Sequence, residues 1–336
     1  MAGGSDGAGG SGEDRFIARF LRPIAGSSAA LGLLDDAALL TPPEGCDLVL
    51  TKDAVVAGVH FFADDPPASI ARKALRVNLS DLAAKGADPL GALLALALPK
   101  ETPDAWMEAF AAALGEDAER YLCPILGGDT VSTPGPVTIT LTALGAVPKG
   151  AFVPRTGAKP GQAILVTGTI GDAALGLLLR QDQAGAAFAG LSDEQRGHLV
   201  DRYLHPQPRL AIAPVLRRYA KSAMDVSDGL VGDVAKMLAA SGCGGRIEAR
   251  RVPVSAAAAA AIAADAGLFK TAVTGGDDYE VVACVPHALV HAFTAEAARV
   301  GVPVTLIGET REEPGLDVTD AGGHALDLGA GSFSHF

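Results

Sequence analysis

Apolar runs alternate along this chain with polar, glycine-bearing turns, the rhythm of mixed α and β structure. FIARFLRPI, from Phe16, predicts a short amphipathic helix. AALL near Leu39, DLVLTKD ending at Asp53 and VHFF ending at Phe62 predict strands. Residues 67–85 predict a helix, stopped by Gly86 and Ala87-Asp88-Pro89. GALLALALP is a predicted strand. Residues 103–121 predict a helix capped by Thr102, with Pro103 in its first turn. CPILGGDT predicts a short buried strand running into a glycine turn, and VTITLTALGAV a long strand with many β-branched positions.

The segment VPKGAFVPRTGAKPGQ carries no apolar period and is rich in Pro, Gly and Lys, so a domain boundary is expected there. Beyond it, AILVTG, AMDV, GRIEARRV, YEVVACV and VPVTLIGE predict strands. Helices are expected at 171–180, 192–204, up to Tyr219, from DGL to 240, at 255–266 and at 287–300. The expected fold class is α/β (α+β), two mixed domains. A flexible Gly/Ser tail covers 1–12, an amino-terminal domain 13–148 and a carboxy-terminal domain 149–336.

Composition narrows the function classes. Of 336 residues, 49% are hydrophobic and 20% charged, so a large core is expected. A net charge of -12 argues against a nucleic-acid partner, because no excess of Lys and Arg is available to neutralise phosphates. One nucleotide remains compatible, since a metal and a few basic residues can carry its charge. No apolar run reaches membrane-spanning length, and the start lacks the basic and apolar regions of a signal peptide. Cys46, Cys123, Cys243 and Cys284 lie far apart without a CxxC pair, as expected of reduced thiols in a cytoplasmic protein.

The candidate chemistry is a series of carboxylates at the ends of strands or in glycine turns: Asp35 and Asp36, Asp53, Asp81, Asp129, Asp225 and Asp228, Asp277 and Asp278. Such a set repels itself unless a cation sits among it. Hard cations take oxygen ligands, and magnesium commonly arrives with phosphates. Hence a magnesium-nucleotide enzyme is the first expectation.

Each motif also has a plainer reading. Asn78, Asp81 and Lys85 share one helical face, which equally describes a solvated stripe with a salt bridge. LGGDT pairs Gly127 and Gly128 with Asp129 and Thr130, and TGGDDYE repeats the device; a β-turn is the alternative. In MDVSDGL, Ser227 serves as hydroxyl donor or as a simple helix cap. VTGTIGD resembles a phosphate-holding helix start, yet it lacks a Walker lysine and reads slightly better as a close-packed turn. His60 is either a ligand contact or a satisfied rim residue. Arg155 is either a phosphate clamp or a solvated linker charge.

AGVHF, KALRVNLSDLAAKGADP, LGGDT, RTGAKPGQAILVTGTIGDAALG, HPQPR, DVSDGL, GGDDYE and the terminal His335-Phe336 occur in an order and spacing that resembles the thiamine-monophosphate kinases. These belong to the ATP-binding superfamily that includes aminoimidazole ribonucleotide synthetase and selenophosphate synthetase. The resemblance runs from about Phe16 to Phe336. It implies two α/β domains, a homodimer pairing its amino-terminal domains, and transfer of phosphate from ATP to thiamine monophosphate with several magnesium ions. It implies Asp36, Asp53, Asp81, Asp129, Asp225 and Asp228 as magnesium-facing carboxylates, with Thr51 a further oxygen and Asp81, Asp129 and Asp228 central to catalysis. Gly128, Arg155 and Ser227 would contact ATP. His60 and Asp277 would face thiamine monophosphate, with Phe333 standing in for an aromatic where Ala330 departs from the family. Leu34 and Lys52 are further departures. Another activity of the superfamily, or a nucleotide-binding homologue weakened in catalysis, are the alternatives.

Overall fold

The computed structural model describes residues 12–181, 183, 185–329 and 331–332. The chain divides into two compact units. The first comprises 12–41, 52–75 and 90–143; the second comprises 42–51, 76–89 and the chain from 144 onward. In order, the helices are α1 (Gly12–Phe16), α2 (Pro67–Ala84), α3 (Asp104–Arg120), α4 (Asp172–Arg180), α5 (Asp193–Leu204), α6 (Ala213–Tyr219), α7 (Leu230–Ala240), α8 (Ala256–Ala264), α9 (Leu268–Thr274) and α10 (Val290–Arg299). The strands are β1 (Cys46–Val56), β2 (Asp88–Leu98), β3 (Ile125–Ser132), β4 (Thr138–Pro148), β5 (Gln162–Thr167), β6 (Ser222–Val226), β7 (Gly244–Glu248), β8 (Glu280–Pro286), β9 (Val304–Arg311) and β10 (Leu316–Thr319).

One sheet has the order β1-β4-β2-β3, with β2 and β3 parallel. In the first unit, α3 buries Met107, Phe110, Ala111 and Leu114, the i, i+3, i+4, i+7 stripe of a core-facing helix. Its N-cap is Pro103, without a side-chain bond; the Thr102 hydroxyl turns back to the carbonyl of Pro99, so Thr102 is not the expected cap.

The second sheet has the order β10-β7-β9-β5-β8-β6 and lies within the second unit. It is antiparallel except for the β10–β7 pair. Its strands β5 and β8 are buried along almost their whole length because both faces are covered. Ile164, Val166, Val282 and Val226 join Leu230, Val234 and Met237 of α7 on one side. The alternate residues Ala163, Leu165, Ala223 and Val281 join Leu216 of α6 and Phe293 of α10 on the other. A third cluster packs Leu175, Leu199, Ala258 and Leu268 from α4, α5, α8 and α9.

Several local expectations change. The segments near Leu39 and Phe62 form no strand, and after Phe16 the chain runs through a π turn and a 3-10 turn rather than one amphipathic helix. GRIEARRV is a strand only to Glu248, then tightens into a 3-10 turn. α9 and β10 were not expected. Gly127, Gly128 and Asp129 are not a turn: they sit inside β3, paired with Leu93, Leu94 and Ala95. A Cβ on Gly128, at φ +156°, would lie 1.7 Å from the carbonyl oxygen of Leu94, so the strands approach closely only because this side chain is absent.

Candidate active site

In the first unit, Asp36 and Asp129 are exposed, and His60 and Asp53 half-buried. Thr51 and Asp53 fall with Val49 and Val55 on the more sheltered face of β1, whereas Lys52 points to the opposite, exposed face. Strand alternation thus turns Lys52 away from the two oxygen donors flanking it. Before Asp36, the left-handed residues are Leu31, Gly32 and Leu33, while Leu34 has φ -110°. Leu34 therefore occupies a conformation open to any residue. His60 Nδ1 accepts the amide hydrogen of Val56 at 3.1 Å, and its carbonyl accepts Lys73 Nζ at 2.9 Å, which ties this histidine into a turn.

The second unit gathers Thr51, Asp81, Arg155, Asp225, Ser227, Asp228 and Asp277. The Thr51 hydroxyl donates to Asp81 Oδ2. The stripe on α2 is no solvated face: Asn78 is fully buried, and Asp81 and Lys85 are half-buried. Lys85 makes no salt bridge with Asp81 among the described residues; its Nζ donates to the carbonyl of Ala223 at 2.8 Å. Burial lowers the Lys85 pKa to about 8, with Arg155 adding to the effect and Asp225 and Asp81 opposing it.

Asp225 lies on β6 and is only 7% exposed. Burial pushes its carboxyl well above the usual range and nearby Asp81 adds to the shift; a hydrogen bond from Ser80 and the charge of Lys85 oppose it. Two carboxylates thus lie near one another, with the Lys85 ammonium bonded to a backbone carbonyl rather than to either. With the Thr51 hydroxyl they offer only oxygen ligands, the donor chemistry of a hard divalent cation. Among the described residues, no three His, Cys, Asp or Glu side chains converge closely enough to hold a metal ion unaided.

After β6, the Ser227–Asp228 turn is held by Asp233, which sequence reading missed. Asp233 Oδ2 accepts the amides of Ser227 at 3.0 Å and Asp228 at 2.9 Å. Ser227 is consequently no helix cap; Gly229 occupies that position. Lys236, one turn along α7, donates to Asp228 Oδ2 at 2.6 Å and to Asp233 Oδ1 at 3.1 Å. The signal for Asp233 was its place in the first turn of a helix, where an acid favours exposed amides. Asp277 donates its amide to the carbonyl of Ser227 at 2.9 Å, with φ 73°. GGDDYE therefore packs on DVSDGL through backbone bonds.

The VTGTIGD loop proves to be the close-packed turn. The Gly171 amide is taken by both oxygens of Asp278, at 2.9 and 3.0 Å, and the Ile170 amide by the carbonyl of Pro253. Those donors are spent within the fold. HPQPR is likewise structural: Arg76 Nη1 donates to the carbonyl of Pro206, and Arg209 grips buried Glu280, which also accepts the Thr167 hydroxyl at 2.6 Å. Arg155 is exposed. Phe333, Ala330, the terminal His335-Phe336 and the 1–11 stretch lie outside the described residues. All four cysteines are free thiols, and burial pushes Cys123 and Cys284 up to about 12.

Residues 34–147 match the family model of the AIR synthase related protein, N-terminal domain, and 159–321 that of its C-terminal domain. Thiamine-monophosphate kinase of Caulobacter vibrioides is 45% identical, over 89% of this chain and 84% of its own. That of Escherichia coli K12 is 42% identical, over 89% and 90%. The crystal structure of thiamine-monophosphate kinase from Stenotrophomonas maltophilia K279a superposes with TM-score 0.81 at 36% identity, covering 93% of this chain and 96% of that one. A structure described as AaThiL complexed with AMPPCP and TMP superposes with TM-score 0.77 at 28% identity, covering 88% and 89%.

Proposed function

Because this chain belongs to the thiamine-monophosphate kinase family of AIR-synthase-related proteins, we propose that it phosphorylates thiamine monophosphate to thiamine diphosphate at the expense of ATP. The AIR-synthase and selenophosphate-synthetase activities are less favoured, because curated relatives above 40% identity are kinases. In the proposed reaction, an oxygen of the thiamine phosphate attacks the ATP γ-phosphorus in line. The bond to the β,γ-bridging oxygen breaks and ADP leaves.

The observation that carries the chemistry is buried Asp225, whose cost of ionisation is raised by burial and by the nearby carboxylate of half-buried Asp81. Asp36, Thr51, Asp53, Asp81, Asp129, Asp225 and Asp228 are the magnesium-holding residues of this proposal. Bound there, magnesium would neutralise the phosphates that must approach one another. Asp81, Asp129 and Asp228 have the catalytic roles in this proposal; Gly128, Arg155 and Ser227 meet ATP; His60 and Asp277 meet thiamine monophosphate, with Phe333 as its aromatic contact. The domain limits are 13–148 and 149–336.

We further propose a cytoplasmic homodimer. Among the described residues no helix is long and apolar enough to cross a membrane. Leu93 and Val131, on the paired strands β2 and β3, are 39% and 50% exposed, which suits a face that pairs with a second copy. Light scattering should return twice the chain mass. Incubation with ATP, magnesium and thiamine monophosphate should yield ADP and thiamine diphosphate; no product from folded protein rejects the assignment.

A further inference from the structure

Asp228 already carries a cation of the chain's own. Lys236 Nζ lies 2.6 Å from Asp228 Oδ2, and the same ammonium lies 3.1 Å from Asp233 Oδ1. Asp233 is nearly fully buried, its side chain 1% exposed, and its other oxygen is committed to the amides of Ser227 and Asp228. It cannot turn away without abandoning both amides. The buried acid therefore fixes two things at once: the backbone turn that presents Asp228, and the ammonium that covers it. Lys236 by contrast is 42% exposed, on a flexible stem with room to leave.

We propose that Lys236 is a built-in counter-ion that competes with a divalent cation for Asp228, and that Asp233 is the positioning residue holding both the turn and the lysine. The inference rests on Asp228 being a metal ligand in the function proposed above. A divalent ion at Asp228 competes with the ammonium for the charge of this carboxylate, and displaces it wherever the ion takes Oδ2. Lys236 stays tethered to Asp233 or swings into solvent, and returns when the metal departs. Without nucleotide, the turn is thus partly neutralised and ordered; with metal and phosphates present, the lysine yields. Through this competition the chain sets how much free magnesium it needs.

The physics bounds the effect. A half-exposed ion pair contributes up to about 1 kcal/mol, so removing the competitor should tighten cation binding about two- to fivefold. Lys236→Met keeps the stem and removes the charge; Lys236→Arg keeps the charge. The measurement is binding of Mn2+, as a paramagnetic stand-in for magnesium, to the nucleotide-free full-length protein. The magnesium concentration for half-maximal turnover is followed in parallel. Lys236→Met should bind Mn2+ about two- to fivefold more tightly and reach half-maximal turnover at correspondingly lower magnesium, while Lys236→Arg stays near the native protein. Equal binding by Lys236→Met and the native chain overturns the inference and leaves the kinase assignment standing. Tightening in Lys236→Arg as large as in Lys236→Met also overturns it, because charge would then not be the cause. No Mn2+ binding in any of the three proteins removes both this inference and the metal role of Asp228. Asp233→Asn keeps one carbonyl oxygen for the amides but removes a negative charge beside Asp228 and leaves the lysine to Asp228, so it should bind Mn2+ more weakly than the native protein, opposite to Lys236→Met. An Asp233→Asn protein that folds and binds as the native one does would remove Asp233 from the device.

Discussion

Lys85 gives its ammonium to the carbonyl oxygen of Ala223, at 2.8 Å, rather than to a carboxylate. The nearest natural counter-ion of Asp225 is thereby held on the backbone two residues upstream of it. Asp225 stays buried beside Asp81, and its ionisation is left to an incoming cation.

Lys85 should leave a signature in stability. Its folded pKa of about 8 lies below the ordinary 10.5, burial being the main cause. Between those values the unfolded chain binds more protons than the folded one, so stability should rise with pH across that window. The rise is at most about 3 kcal/mol. Urea midpoints at about pH 7.5 and about pH 10 check this, and Lys85→Met should flatten the slope; the same slope in both proteins contradicts it.

Asp225 has the opposite sign. Its folded pKa is raised by burial and by Asp81, so the folded state binds more protons above the usual carboxylate range. The stability of the metal-free protein should fall as pH rises from that range through the folded value. Asp225→Asn should lose this dependence and unfold at higher temperature at neutral pH, while turnover drops at least about 100-fold. Thermal scans across pH, with and without magnesium, test it; a less stable Asp225→Asn protein would count against the buried-charge account.

Asp81→Asn keeps an oxygen for the Thr51 hydroxyl but removes the charge. Turnover should fall at least about 100-fold, with the melting temperature within about 2 °C of native. A near-normal rate at saturating magnesium would remove Asp81 from the metal set.

Gly128→Ala should fail by folding rather than by ATP affinity, because the added Cβ meets the Leu94 carbonyl at 1.7 Å. A cost above about 3 kcal/mol is expected. A normally stable variant with only a raised KM for ATP would mean that the close approach to Leu94 is not what requires the glycine.

Arg209→Met leaves Glu280, 3% exposed, without its guanidinium. The expected loss is about 3–5 kcal/mol, and the double variant Arg209→Met with Glu280→Gln should recover part of it. Denaturant midpoints of the three variants decide, and additive losses would deny the coupling.

Much of the fold was legible. The helix over Pro67–Ala84, the buried strands β5, β6 and β8, and the helix α5 all follow from period. Leu39 and Phe62 misled because short apolar runs look alike whether or not a partner strand is available. β10 was missed because Leu316–Thr319 is only four residues, and it exists through pairing with β7. The two Gly-Gly-Asp motifs look identical as text, yet one is strand and the other an irregular segment with Asp277 at φ 73°.

By itself the sequence determined the two-part α/β pattern, the family, and the residue types able to hold a cation and a nucleotide, because these depend on local period and on the identity of short motifs. Only the tertiary structure decided which acids are buried, and which are already engaged. Asp278 is spent on Gly171, Asp233 on the Ser227–Asp228 turn, and Lys85 on Ala223. The hydrogen bonds of Thr51 with Asp81 and of Lys85 with Ala223 join residues 30 and 138 positions apart. Such pairings, and the burial that shifts a carboxyl's proton affinity, are set by packing between distant segments, which no local pattern encodes.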